Sequence, residues 1–386
     1  MDTRSHHRGV SLGDAVAFAF YLVFVLPSTV ATCPSRRLQR SSNYSLKDDI
    51  ILASVRSLGK MPLSIRQRLE RKDHIAIVRS SRRFSGADPA ICEKVSRPGF
   101  VGYWVCKGTI NATKLPPSEA ITTLLWIHGG AYVGGSALSG LVSLLRVAEL
   151  EAEHNRSLNI FTLEYSLALE AKFPTQMAQA TAAYKYLIEE TGVDPNSVHV
   201  LGESAGGHLA LALAYNLQQR GIPRPGRVGL LYPWVNLENT GSTFKTNKYK
   251  DCLVKEDMDK CVDWLLGRDG RLRFSHLMNF ASSPPRVDLP WSQILPPTWV
   301  MIGGNDVLFS DVINFVDEAR KDGVSVDLQV EAGMPHGWLA YFDALAVKQY
   351  LRLSPEDDAK SILVGSEVIA KAVCEHGHIC KGQKGP

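Results

Sequence analysis

The sequence predicts an α/β fold, a mostly parallel sheet with helices on both faces. Several apolar runs are continuous instead of alternating, as strands buried on both faces are. Segments at helical spacing separate those runs, the pattern of a sheet covered by crossover helices. Glycine-rich turns and single polar residues follow the runs directly, and ligand sites of open parallel sheets lie beyond the carboxyl ends of their strands.

The elements follow in order. Residues 15–32, "AVAFAFYLVFVLPSTVAT", carry no charge and come after a short polar segment with Arg4 and Arg8. That length is borderline for crossing a bilayer and ordinary for a signal peptide, with Thr29, Val30 and Ala31 as small residues suited to cleavage. A polar, helix-leaning arm covers 43–90. "GFVGYWVCKGT" (99–109), "ITTLLWIHGG" (121–130) and "LNIFTLEYS" (158–166) read as strands, and 173–190 as a helix starting near its proline. "SVHVLG" (197–202) is a strand that runs into the helix "AGGHLALALAYNLQQRG" (205–221). Three more strands follow in 227–235, 297–304 and 326–333. The charged stretch from Asn236 to about Pro290 breaks the alternation, and because strands resume after it, it reads as an inserted cap. The expected organisation is a signal peptide or membrane anchor at 1–33 and an arm that joins the cap at 34–98. A catalytic domain follows at 99–373, with its insertion at about 236–290, and a tail at 374–386.

Composition bounds the function. The 386 residues are 45% hydrophobic and 21% charged with net charge +4, and both signs are interspersed. No basic stripe with interleaved aromatics appears, so no nucleic-acid partner is expected. Three acceptor sequons, at Asn43, Asn111 and Asn155, favour a lumenal or extracellular catalytic domain and a glycoprotein. Arg36, Arg37 and Arg40 after the apolar run argue for the cytoplasmic side. A large domain translocates despite such a bias, and the lumenal side of the endoplasmic reticulum is the expectation. Seven cysteines fit an oxidising compartment, but the number is odd, and their proximity in sequence leaves disulfides and free thiols both open.

"VHVLGESAGGHLALALA" carries the sharpest chemical signal. Ser204 stands between Gly202 and Gly206 at a strand-to-helix turn, which lifts a serine oxygen clear of a sheet. "WIHGGAYVGG" follows a strand, and its side-chain-poor Gly129 and Gly130 turn backbone N–H groups towards a bound oxygen. Ala205 supplies a second source of such donors, beside the serine. His128 reads as structural, because it precedes the serine and the base is expected last. "MIGGNDVLFSD" places Asp306 in the loop after a strand, and Asp311 is the weaker competitor, inside the next helix. "EAGMPHGW" places His336 just past the last strand, where an imidazole can take the serine proton and return it to a leaving group.

The set "HGGA", "GESAGG", "GGNDVL" and "MPHGW" resembles the hormone-sensitive lipase-like branch of the α/β-hydrolases over about 99–342. The order Ser204, Asp306, His336 is the order of that fold. The resemblance implies a serine esterase with a cap and no cofactor, whose partner is a small-molecule ester. "LLYPWV" and the N-terminal segment are similar to fungal steryl acetyl hydrolases and hydrolases of natural-product pathways. Two positions depart from the branch: Ala131 stands where it has a third glycine, and Glu203 where it has aspartate before the nucleophile. Acyl transfer to an alcohol is a close chemical neighbour, and a non-catalytic binding protein on the same scaffold is the rival from another class. "CEHGHIC" (374–380) matches none of the usual zinc spacings, so no metal is expected.

Overall fold

Eight strands form one sheet: β1 (Cys92–Arg97), β2 (Phe100–Val105), β3 (Thr122–Ile127), β4 (Leu158–Glu164), β5 (Val198–Glu203), β6 (Arg227–Leu231), β7 (Thr298–Gly303) and β8 (Val326–Glu331). Their spatial order is β1-β2-β4-β3-β5-β6-β7-β8. β1, β2 and β4 pair antiparallel, and every pairing from β4 to β8 is parallel. The computed structural model describes residues 11–40, 44–70, 73–85, 91–105, 120, 122–154 and 156–377. Asn43, Asn111 and Asn155 lie outside the described residues.

The central strands are the continuous apolar runs. Every residue of β3 and β7 is buried, as is all of β5 up to Glu203. Each fully buried Val, Leu or Ile there contributes about 1.5–3 kcal/mol by leaving water. β1 is different. Its "CEKVSR" buries only Val95, because an edge strand with one partner needs little apolar surface. The sheet therefore begins at Cys92, ahead of the boundary expected at 98.

Chain direction distributes the helices. The step from β3 to β4 goes one way along the sheet, and the steps from β4 to β5 and onward go the other. Right-handed crossovers then put helix Leu141–Glu153 on one face and helices Thr175–Lys185, Ala205–Gln219 and Phe309–Lys321 on the opposite face. The sequence reading did not delimit two helices, Trp338–Tyr350 and Val364–Gly377; the second packs with both Leu141–Glu153 and Trp338–Tyr350. The second of these runs through Cys374, so the last described part of the chain is helix and not a detached tail from 374. The direction reverses between β3 and β5. A topological switch point of this kind opens a crevice at the carboxyl ends of its strands.

The stretch 236–290 carries helices Thr243–Thr246, Lys255–Arg273 (broken at Gly267) and Ser275–Met278, with no strand. The arm meets it. The Tyr44 hydroxyl donates to the Lys250 carbonyl at 3.1 Å, and Arg56 donates to the carbonyls of Lys248 and Asp251.

Candidate active site

Ser204 lies between β5 and helix Ala205–Gln219 at φ 54° and ψ −114°. Such backbone costs a non-glycine residue about 1–3 kcal/mol and persists only where its surroundings hold it. The holding contacts are short. Ser204 N–H donates to the Leu231 carbonyl at 2.9 Å, and its own carbonyl accepts from Trp234 at 3.0 Å and Gly207 at 2.9 Å. The glycines are steric requirements. A Cβ on Gly206 would sit 2.1 Å from the Ile127 carbonyl oxygen, and one on Gly202 would sit 2.3 Å from that of Gly206. The helix start is thereby pressed against the end of β3, in the switch-point crevice.

Three polar side chains converge there from three strand ends. His336 Nε2 is 2.9 Å from Ser204 Oγ, and His336 Nδ1 is 2.9 Å from Asp306 Oδ2. Asp306 is fully buried, and its other oxygen accepts the Leu308 N–H at 2.8 Å. Burial alone would lower the His336 pKa. The Asp306 carboxylate, with Asp251 and Glu203 nearby, outweighs burial and holds it above the usual histidine value. The Tyr232 ring meets the imidazole edge-on, centroids 5.0 Å apart.

The loop after β3 supplies backbone donors. Gly130, Ala131 and Tyr132 all have positive φ, so successive N–H groups turn to one side, a geometry that favours anions. Glu203 is buried, which raises its pKa. Its carboxylate accepts the Tyr232 hydroxyl at 2.8 Å and also faces the Gly129 N–H. His128 stacks on Tyr165 with centroids 4.1 Å apart, and burial pushes its pKa down to about 4. It is neutral at ordinary pH and bonded to its own loop through the Gly129 carbonyl. His208 ties the same loop down. Its Nε2 meets the Leu277 carbonyl at 2.9 Å and therefore carries the hydrogen, so Nδ1 accepts the Tyr132 hydroxyl at 2.7 Å.

The structure thus brings Ser204, His336 and Asp306 into one hydrogen-bonded line and sets Ala205, Gly129 and Gly130 beside it. Asp311 goes elsewhere. It is buried against Gly241, accepts Asn236 Nδ2 at 3.1 Å, and burial pushes its pKa up to about 6. One residue of the site had no signal in the sequence: Asp251, one of three acids in the charged run "KYKDCLVKED", reaches the backbone of the loops that carry Asp306 and His336. Cys252 and Cys261 are separate buried thiols. Among the described residues no group of three or more His, Cys, Asp or Glu stands together in a form that holds a metal. His378 and Cys380 of "CEHGHIC" lie outside the described residues.

A family model described as the alpha/beta hydrolase fold matches residues 124–340. The chain belongs to that family. Among the relatives of this hydrolase is an acetyl-hydrolase of Streptomyces hygroscopicus, 32% identical over 234 residues, which are 60% of this chain and 72% of the relative. Arylacetamide deacetylase of Oryctolagus cuniculus is 39% identical over 198 residues, 45% of this chain and 46% of that protein. The crystal structure of an esterase from the bacterial hormone-sensitive lipase family superposes with a TM-score of 0.57 at 25% identity, covering 90% of this chain and 97% of that one. The hydrolase is a serine enzyme acting on carboxylic ester bonds, and it resembles the hormone-sensitive lipase branch. One N-terminal helix, Leu12–Ser35, is long and apolar enough to cross a membrane.

Proposed function

We propose that the protein hydrolyses a small or medium hydrophobic ester, an acetyl ester by preference, through an acyl-enzyme on Ser204. The 2.9 Å contact between Ser204 Oγ and His336 Nε2 carries this reading, with Asp306 2.9 Å behind the imidazole. His336 takes the serine proton as Oγ bonds to the acyl carbon. The collapsing intermediate breaks the bond to the alcohol oxygen, and His336 returns the proton to that oxygen. Water then attacks the acyl-serine with His336 again as base, which frees the acid and restores Ser204. Asp306 keeps the proton on Nδ1 and stabilises the imidazolium.

The oxyanion of each tetrahedral step is held by N–H groups of Ala205 and of the loop Gly129–Gly130. The Glu203 carboxylate competes for the Gly129 N–H, which shifts the loop's share towards Gly130 and the adjoining Ala131. Names among the relatives support an acetyl group. A sterol or natural-product alcohol is the proposed other half, reached from a membrane by way of the N-terminal helix, with the catalytic domain on the lumenal side.

The test is turnover of short-chain chromogenic esters and of a series of acetylated alcohols, by the wild type and Ser204→Ala. The serine variant is expected to fold and to lose kcat by about 10⁶. Turnover retained in folded Ser204→Ala refutes the assignment of the nucleophile.

A further inference from the structure

We propose that Asp251 is a positioning residue of the catalytic centre, a single carboxylate on the inserted segment that ties the acid loop to the base loop. The inference rests on the Ser204, His336 and Asp306 reading above. Asp251 Oδ1 accepts the His336 N–H at 2.9 Å and the Cys252 N–H at 2.6 Å. Oδ2 accepts the N–H of Val307, the residue after Asp306, at 2.8 Å. One buried side chain therefore fixes the backbone of two loops that come from different strands, β7 and β8. The spacing between Asp306 and the imidazole depends on those two backbones.

The neighbours of Asp251 act in the same direction. Asn247 Nδ2 donates to the Asp306 carbonyl at 2.9 Å and to that of Gly304 at 3.1 Å. Cys252 Sγ lies 3.7 Å from the His336 carbonyl oxygen and 3.0 Å from the Tyr341 hydroxyl. The arm holds this segment from behind, through Arg56 to the Asp251 carbonyl at 3.0 Å and Tyr44 to the Lys250 carbonyl. Tyr44 also accepts from Asn305 Nδ2 at 2.8 Å, so the arm grips the acid loop as well.

The position calls for a carboxylate. All three of its partners are N–H donors, so an asparagine would turn its own NH₂ against at least one of them. The three N–H donors offset only part of the cost of burial: burial and the neighbouring Asp306 charge push the Asp251 pKa up to about 7, so its charge is fully present only above that pH. Asp251 also faces titratable groups: Asp306 and His336 most closely, then Cys252, Tyr44 and Tyr341. The acids facing His336 are Asp306, Asp251 and Glu203. Removing the Asp251 charge takes away one of the three influences that favour imidazolium.

The experiment uses the full chain and a short-chain chromogenic ester. Asp251→Asn is expected to lower kcat about 10- to 100-fold with KM within about threefold, and to slow fluorophosphonate labelling of Ser204 in parallel. The acidic limb of kcat/KM is expected to move to lower pH, which a merely structural contact would not cause. A folded Asp251→Asn with kcat within about twofold of wild type and an unmoved limb overturns the inference. Should that variant fail to fold, Arg56→Ala reads the same network from its half-buried end. It is expected to lower kcat several-fold at constant KM, and an unchanged kcat overturns the inference. Wild type and Ser204→Ala run beside them. An inactive wild type or an active Ser204→Ala removes the underlying reading, whereas normal behaviour of both with an unaffected Asp251 or Arg56 variant removes only this one.

Discussion

Asp306 and Asp311 are five residues apart, and both are buried, yet only one of them touches the imidazole. Asp306→Asn leaves an amide that cannot hold the proton on His336 Nδ1, and a loss on the order of 10⁴ in kcat is expected. Asp311→Asn is expected to cost less than about tenfold. It is also expected to leave stability at pH 7 no worse. Burial raises the folded pKa of Asp311 to about 6, above its unfolded value, so the wild type loses stability as pH rises through that window, and asparagine mimics the protonated form. Kinetics and thermal melts of the two variants check this, and the reverse order of activity would move the acid to Asp311. His336 yields a pH prediction. It works as a base only when neutral, and the carboxylates around it hold its pKa above the usual 6.5. The acidic limb of kcat/KM is therefore expected above pH 6.5, with activity falling as pH drops through it. A limb at or below 6.5 contradicts the electrostatics described for His336.

The junction of β3, β5 and helix Ala205–Gln219 is where local sequence and packing meet most tightly. Gly206→Ala would place a Cβ 2.1 Å from a backbone oxygen of Ile127, and backbone cannot step aside cheaply. The expected cost is roughly 3 kcal/mol or more, together with loss of turnover as the elbow opens. Gly140→Ala, at a helix start with nothing within 4 Å of the new methyl, is expected to change stability by less than about 0.5 kcal/mol. Urea melts of the pair decide the matter, and equal midpoints would mean that the close approach at Gly206 is not real. The same junction shows what was legible in the sequence. β3, β5 and β7 are buried along both faces, so composition alone marks them, and Ser204 and Asp306 stand where β5 and β7 end, while His336 follows the edge strand β8. β1 escaped because its one buried side chain, Val95, stands among charged and polar neighbours in "CEKVSR", whereas the other edge strand, β8, still alternates apolar and polar residues in "VDLQVE". Helices Trp338–Tyr350 and Val364–Gly377 lacked a distinct boundary between them and their loops. Asp251 was illegible for a different reason: two of its three partners are backbone N–H groups 56 and 85 positions away, and no local pattern records such contacts.

Across the whole molecule, the N-terminal helix joins the membrane question to the fold. Tyr21, Thr29 and Cys33 are buried and stand four or eight positions apart, which places them on one stripe. That stripe meets helix Leu46–Ser57, where the Tyr21 and Ser57 hydroxyls are 2.8 Å apart and Arg37 pairs with Asp49. The rest of the helix stays uncovered: Leu12, Val16, Phe20, Val23 and Phe24 are all more than half exposed. So much bare apolar surface on one element is unusual for a protein surrounded by water and fits a bilayer. We propose that this docked helix is kept in the folded protein, because cleavage after Ala31 would remove Tyr21, whose hydroxyl meets that of Ser57. The mature protein is therefore expected to keep Leu12–Ser35, to remain in the membrane pellet after alkaline carbonate extraction, and to lose mobility-shifting glycan when Asn43, Asn111 and Asn155 become glutamine. N-terminal sequencing of protein from its host reads the first point. Glycosidase treatment and protease protection in intact microsomes read the side of the membrane. A mature chain that starts after Ala31 would leave the docked stripe without a role, and a glycan-free domain open to protease in intact microsomes would place the enzyme in the cytoplasm.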